Sequence, residues 1–347
     1  MIRLPGLIDP HVHLRDPGQT QKEDFYTGTS AALAGGYVTV LDMPNNVEPI
    51  TTLERLEKKI NSAKRKVVSD IGFHFGTLGD NFDEFPKVIE YVKGLKVYLN
   101  QTTGSFIIDR SKLLDIYKAW PEVKPILLHA EEDVSDLVGH VLKETKKQTH
   151  MCHVSSQSEL EFVIKSKDAG LPISCGVTPH HLFLNQDDAK ELGAFGYMKP
   201  YLKSQHDQDF LWRHLEYIDV IESDHAPHTL AEKNSETPPF GVPGLETTLP
   251  LMLMAEAEGK ITRTQLIHKL HTNPARLFNI AVDEKTYIDV NLEERLVDNK
   301  DLLTKAGWSP FAGRKVIGKI ESVTVRGNIV FENGKVVVQP GSGHIVS

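Results

Sequence analysis

The sequence predicts a parallel (β/α)8 barrel with a small β-sheet appendage towards its C-terminus. Three observations predict it. Short apolar runs alternate eight times with helix-period segments at α/β crossover spacing. No Gly-x-Gly-x-x-Gly follows the first run, so the alternative of a doubly wound sheet lacks its signature. Late in the chain the rhythm changes to alternation with an Asn333-Gly334 turn. The expected division is a barrel over residues 1–280 and an appendage over 281–347.

The first strand is read over residues 7–13, in Gly6-Leu7-Ile8-Asp9-Pro10-His11-Val12-His13. A Pro17-Gly18 loop leads to a helix over 22–34, closed by Gly35-Gly36. The second strand, 37–43, ends in Pro44-Asn45-Asn46, and the helix over 52–66 carries Leu53, Leu56 and Ile60 at helical spacing. Strand 71–78 precedes helix 82–93. Strand 95–99 precedes a polar loop, 100–105, and helix 111–119. Strand 126–130 is followed by helix 132–146, and strand 150–154 by helix 155–169, with Ser155 the expected N-cap. The seventh and eighth strands, 172–177 and 219–223, are separated by a longer excursion. Helix 245–258 completes the barrel, helical segments continue to Phe278, and 322–338 reads as a hairpin.

Composition narrows the function. A hydrophobic content of 40% with 25% charged residues supplies a sizeable core and a solvated surface. The net charge of −8 and the absence of a Lys/Arg-rich run argue against nucleic acid as partner. No 18-residue apolar run argues for a membrane span, and no charged-then-apolar leader opens the chain. Two cysteines, Cys152 and Cys175, both in apolar runs, do not make a disulfide framework, so a cytoplasmic setting is expected.

Period-two alternation puts His11 and His13 on one face of the first strand, where two imidazoles can hold a metal ion. A His-x-His alone fits an edge strand with two surface histidines equally well. In a barrel, however, groups at the carboxyl ends of the strands converge on one mouth. Lys96 lies in the fourth strand, His129 closes the fifth, His153 the sixth and Asp224 the eighth. Six such groups at one end are not six accidents, and imidazole and carboxylate donors suit zinc or related divalent ions. Lys96 is the odd member, because an ammonium cannot ligate a cation. Its amine makes sense as a carbamate formed with carbon dioxide, an anion able to bridge two metals.

These residues resemble the amidohydrolase superfamily and, within it, the dihydroorotases. The resemblance rests on Asp9-Pro-His11-Val-His13-Leu-Arg15, Gly94-Leu-Lys96-Val-Tyr, His129-Ala-Glu, Cys152-His153-Val and Ser223-Asp224-His-Ala-Pro-His228. Thr178-Pro179-His180-His181 and Pro243-Gly244-Leu-Glu-Thr resemble the type found in animal multifunctional polypeptides. The resemblance covers essentially the whole chain. It implies that His11, His13 and Asp224 hold one metal, that His129 and His153 hold a second, and that carboxylated Lys96 and a hydroxide bridge them. It implies Asp224 as proton shuttle in the reversible closure of N-carbamoyl-L-aspartate to L-dihydroorotate, in pyrimidine biosynthesis. Arg15, Asn45 and His228 are the expected contacts to the substrate carboxylate, with Lys199, Pro243 and Gly244 further substrate contacts. Paired Thr102 and Thr103 resemble a catalytic loop that closes over substrate. A homodimer is expected, and the start of the chain at the first barrel strand suits a unit fused to or associated with other enzymes of the pathway.

Three departures stand out. Animal-type members carry Glu in the seventh strand where this chain has Gly176, which leaves Cys152 without its partner carboxylate and a third metal unexpected. Lys199 replaces an expected Arg, and the Thr102-Thr103 loop differs from the animal pattern. Two other readings remain open at this point. One is a hydantoinase or dihydropyrimidinase, which needs no cation against a substrate carboxylate. The other is a barrel that serves as a scaffold without catalysis.

Overall fold

Eight parallel strands pair in chain order and wrap around a central axis. After a short first strand, β1 (Ile2–Pro5), they are β2 (Leu7–Val12), β3 (Tyr37–Asp42), β4 (Asp70–Gly76), β5 (Gly94–Tyr98), β6 (Ile126–His129), β7 (Thr149–Met151), β8 (Ile173–Val177) and β9 (Val220–Ile221). The computed structural model describes residues 1–101 and 106–347. The ring closes where Val12 bridges to His225 and the His13 amide donates to the His225 carbonyl at 2.8 Å. Every residue of β2 to β9 is buried, as expected of strands covered on both faces.

Most of the barrel strands are shorter than the sequence pattern predicts, β7 and β9 by the most. β7 stops at Met151 and β9 at Ile221, so His153 and Asp224 stand in the turns beyond them. Both adopt left-handed backbone, with φ of 38° and 44°, which cannot continue a strand. The helix expected over 82–93 is broken into short turns at Phe82–Glu84, Phe85–Val88 and Ile89–Tyr91, with Pro86 lacking an amide donor. The helix Gln157–Asp168 is capped by Ser156, not Ser155. Ser156 accepts from the Glu159 amide while the Glu159 carboxylate takes both serine amides, drawing Ser155 into the same cap.

The appendage is a five-stranded antiparallel sheet in the order β1, β10 (Tyr287–Leu296), β11 (Lys315–Val325), β12 (Asn328–Glu332), β13 (Lys335–Val336). Its edge comes from the N-terminus, Ile2 opposite Val290 and Pro5 opposite Tyr287, which corrects the expectation that the tail alone supplies it. The stretch read as one hairpin turns twice. Arg326-Gly327 and Asn333-Gly334 both take positive φ, so β11, β12 and β13 form a meander. Ile288, Ile320 and Val323 share one core with Leu249 and Leu253 of the helix Leu245–Ala257, and this joins the appendage to the barrel. The last residues return to β4, where the Val346 amide donates to the Ile71 carbonyl at 2.8 Å. Among the described residues no helix is long and apolar enough to cross a membrane.

Candidate active site

The strand ends deliver the expected cluster. His11 Nε2 and His13 Nε2 lie 3.3 and 3.1 Å from the same oxygen, Asp224 Oδ1. His129 Nδ1 faces His153 Nε2 at 3.0 Å, and the His11 and His153 rings are 5.2 Å apart. Lys96 is fully buried, with its Nζ 3.1 Å from Cys152 Sγ and 5.0 Å from the Tyr98 ring centre. Both cysteines are free and buried.

Neighbouring groups hold this cluster in place. Asp9 Oδ1 accepts from the His11 amide and, from across the barrel seam, the Ser223 amide, so one carboxylate clips the His-x-His to the Asp224 turn. Asp42 at the end of β3 accepts from the Leu14 amide at 2.8 Å and pairs with buried Lys59 at 2.7 Å. Lys59 also donates to the Met43 carbonyl and Asn46 Oδ1, which fixes the loop carrying Asn45. Three site residues carry left-handed backbone: Arg15 (φ 62°), His153 and Asp224. Such conformations cost of order 1–3 kcal/mol each in non-glycine residues and gather at functional sites.

The donor chemistry fits a metal. Asn45 Oδ1 can only accept, so His13 donates to it through Nδ1 at 2.7 Å. That leaves a lone pair on His13 Nε2 pointing at a carboxylate oxygen, an arrangement that requires a cation or a proton between them. His11 Nδ1, His129 Nε2 and His153 Nδ1 are buried without a hydrogen-bond partner among the described residues. Burial, and next to it the Lys96 charge, lowers the His11 and His129 pKa values; burial and His129 lower that of His153. The neutral imidazole that results is the ligating form. Burial pushes the Asp224 carboxyl up to about 6, against the pull of His11 and Lys96.

The carboxylate missing from the seventh strand is present after all, supplied by the residue that follows the eighth, β9. A side chain at Gly176 would place Cβ 2.5 Å from Glu222 Cδ, so Glu222 fills the space the glycine leaves. Glu222 Oε1 lies 3.5 Å from His11 Nδ1, and its Oε2 lies 3.4 Å from His150 Nε2. Burial pushes this carboxyl up, but His11 and His150 outweigh it and hold it well below the usual range. His11, Cys152 and Glu222 bring donor atoms within 4.8 Å of one another, which corrects the expectation that Cys152 has no partner carboxylate.

His13, Arg15, Asn45, Lys199, Asp224, Ala226, Phe240 and Gly241 line one small cleft beside the cluster. Arg15 is held by its Nε donating to the Pro227 carbonyl at 3.2 Å. Lys199 stands over the Tyr201 ring at 3.7 Å. Asn45 orients His13 as well as lining the cleft, and His228 lies behind Arg15, its Nε2 3.2 Å from Arg15 Nη2. Gly244 packs against Ser223 and donates its amide to His225 Nδ1 at 3.2 Å, and neither it nor Pro243 lines the cleft. Thr102 and Thr103 lie outside the described residues. Sequence reasoning missed Asp9, Lys59 and Glu222. A carboxylate two residues before the His-x-His was the one readable signal among them.

Comparison with known proteins places this geometry in a family. Residues 2–106 match the model described as Amidohydrolase family. The chain is 41% identical over its full length to "Multifunctional protein CAD" of Squalus acanthias, of which it spans 16%. It is 36% identical to "Dihydroorotase" of Pyrococcus furiosus, covering 99% of this chain and 84% of that protein. Among solved structures, the L-hydantoinase (dihydropyrimidinase) of Arthrobacter aurescens superposes with a TM-score of 0.94 at 24% identity, covering 100% of this chain and 89% of that one. The inactive dihydroorotase-like domain of the Chaetomium thermophilum CAD-like multifunctional protein gives 0.85 at 26%, covering 100% and 99%. The hydantoinase likeness carries the barrel alone, whereas the Pyrococcus match extends over nearly the whole of both chains: this chain belongs to the dihydroorotase family of metal-dependent amidohydrolases.

Proposed function

We propose that the chain is an active dihydroorotase, interconverting L-dihydroorotate and N-carbamoyl-L-aspartate. The observation that carries this reading is one cleft shared by the His13–Asp224 pair and two cationic side chains, Arg15 and Lys199. A cyclic amide without a carboxylate needs no such cations, which sets this site against the hydantoinase reading. The family also contains a domain described as inactive, so membership alone does not decide activity. The intact set His11, His13, Lys96, His129, His153 and Asp224 does favour it.

These six residues would hold two divalent ions, zinc by donor type, with Lys96 able to serve as a ligand if carboxylated to a carbamate. Bound there, the ions supply Lewis acidity to the ring carbonyl and acidify water. Arg15 and Lys199 orient the substrate carboxylate, Arg15 through a planar fork suited to bidentate pairing. Asp224 takes one proton of water as its oxygen adds to the ring carbonyl carbon. It returns that proton to the ring nitrogen as the C–N bond breaks, and ring closure reverses both transfers. The matches to multifunctional proteins support a unit that works fused to or beside other enzymes of its pathway.

Two measurements test this. Purified protein should contain about two divalent ions per chain and turn over dihydroorotate in preference to dihydrouracil; full activity in a metal-free sample would end the reading. Arg15→Met should lower kcat/KM for dihydroorotate by about 10- to 100-fold with metal content unchanged, since a charge-assisted hydrogen bond contributes roughly 1.5–3 kcal/mol. Residual activity on dihydrouracil should fall much less. Equal losses on both rings would make Arg15 a structural residue and reopen the hydantoinase alternative.

A further inference from the structure

Lys22 is buried, 6% exposed, although nothing in the mechanism uses it. Its Nζ lies 3.1 Å from His228 Nδ1 and 3.1 Å from Glu232 Oε1. An ammonium has only donors, so His228 Nδ1 must accept. The opposite ring nitrogen, His228 Nε2, lies 2.9 Å from the Phe240 carbonyl, which has only lone pairs. Two independent contacts therefore give the same answer: the proton sits on Nε2. Glu232 Oε2 is 3.8 Å from Nδ1, too far to take a proton from it, and balances the Lys22 charge instead.

This tautomer has a consequence on the other side of the ring. His228 Nε2–H and Arg15 Nη2–H stand 3.2 Å apart as two donors that cannot bond each other. The single Nε2–H is taken by the Phe240 carbonyl, so His228 cannot accept from Arg15, and the Nη2 donors of Arg15, which lines the cleft, stay free for the oxygens of a carboxylate. Lys22 is itself held by its neighbour in sequence. Glu23 is fully buried, accepts from the Thr304 hydroxyl and the Lys305 amide, and faces His225 Nε2 at 3.3 Å.

We propose that Lys22 is a positioning residue that fixes His228 as the Nε2–H tautomer, so that His228 cannot accept from Arg15 Nη2 and the guanidinium stays free to meet the substrate carboxylate. This rests on the dihydroorotase reading. The burial of His228 and its cationic neighbours Arg15 and Lys22 lower its pKa and favour the neutral ring the proposal requires.

The test uses the metal-loaded enzyme with 15N-labelled histidine, the His228 signals being assigned by their loss in His228→Gln. In the wild type, His228 should show a protonated Nε2 and a bare Nδ1. In Lys22→Met the Nδ1–H form should become populated, the KM for dihydroorotate should rise about tenfold, and kcat should change by less than about threefold. Lys22→Arg, which keeps a donor, should recover part of the KM. An unchanged tautomer in Lys22→Met, or a fall in kcat without a rise in KM, overturns the proposal. A wild-type enzyme that does not turn over dihydroorotate overturns the functional reading instead, and the tautomer measurement still judges Lys22.

Discussion

Asp224→Asn is expected to lower dihydroorotate turnover by roughly 10²–10⁴-fold, the range typical for loss of a general acid–base group, and to do so in both directions. Asparagine keeps the size of the side chain and cannot take a proton. The symmetry follows from the chemistry: one carboxylate carries the proton from water to nitrogen in ring opening and from nitrogen to water in closure. Asp224 is placed for this, since its Oδ1 lies within 3.3 Å of both His11 and His13 while the residue lines the cleft. The variant should fold, because the turn is also held by Asp9 accepting from the Ser223 amide and by Ser223 Oγ accepting from the His225 amide. Metal content measured on the same sample separates the two roles of the residue. Loss of turnover with metal retained isolates the proton transfer, and near-normal turnover in either direction would sink the assignment.

Much of this site was legible in the sequence because a barrel turns strand order into spatial convergence. His11, His13, His129, His153 and Asp224 each end a short apolar run, and position at a strand end is what brings them to one mouth. The supporting contacts were not legible, because each joins residues far apart in the chain. Glu222 replaces a side chain at 176 only because β8 and β9 lie side by side, with Gly176 opposite Val220. Lys22 reaches His228 across 206 positions. Neither pairing leaves a periodicity that a single sequence can show. The misplaced strand ends have a different cause. The runs through His153 and Asp224 look apolar enough to stay extended, but the backbone leaves the ladder to aim those side chains inward, at left-handed φ. The N-terminal strand was hidden for a similar reason, since Ile2–Pro5 are too few residues to announce a partner some 285 positions away.

Lys96 offers an outcome whose sign, not just its size, is decisive. Its Nζ is fully buried, hydrogen-bonds only the weak acceptor Cys152 Sγ, and has no carboxylate within ion-pair distance among the described residues. A bare ammonium there would be costly, and an apolar side chain of similar volume removes that cost. On that reading Lys96→Met should melt no lower than the wild type. On the carbamate reading the residue is an anion that holds metal, so Lys96→Met should lose metal and melt lower than the metal-loaded wild type. Turnover should fall by more than about 100-fold, beyond the 10–100-fold typical of changes one contact away from a metal. Lys96→Ala opens space where the carbamate would sit, and a small carboxylic acid added to it should restore part of the activity and of the metal. The same acid should do nothing for Lys96→Met, whose side chain fills that space. A methionine variant that keeps its metal, its melting temperature and its turnover would show that Lys96 is a buried amine and that the bridge does not form.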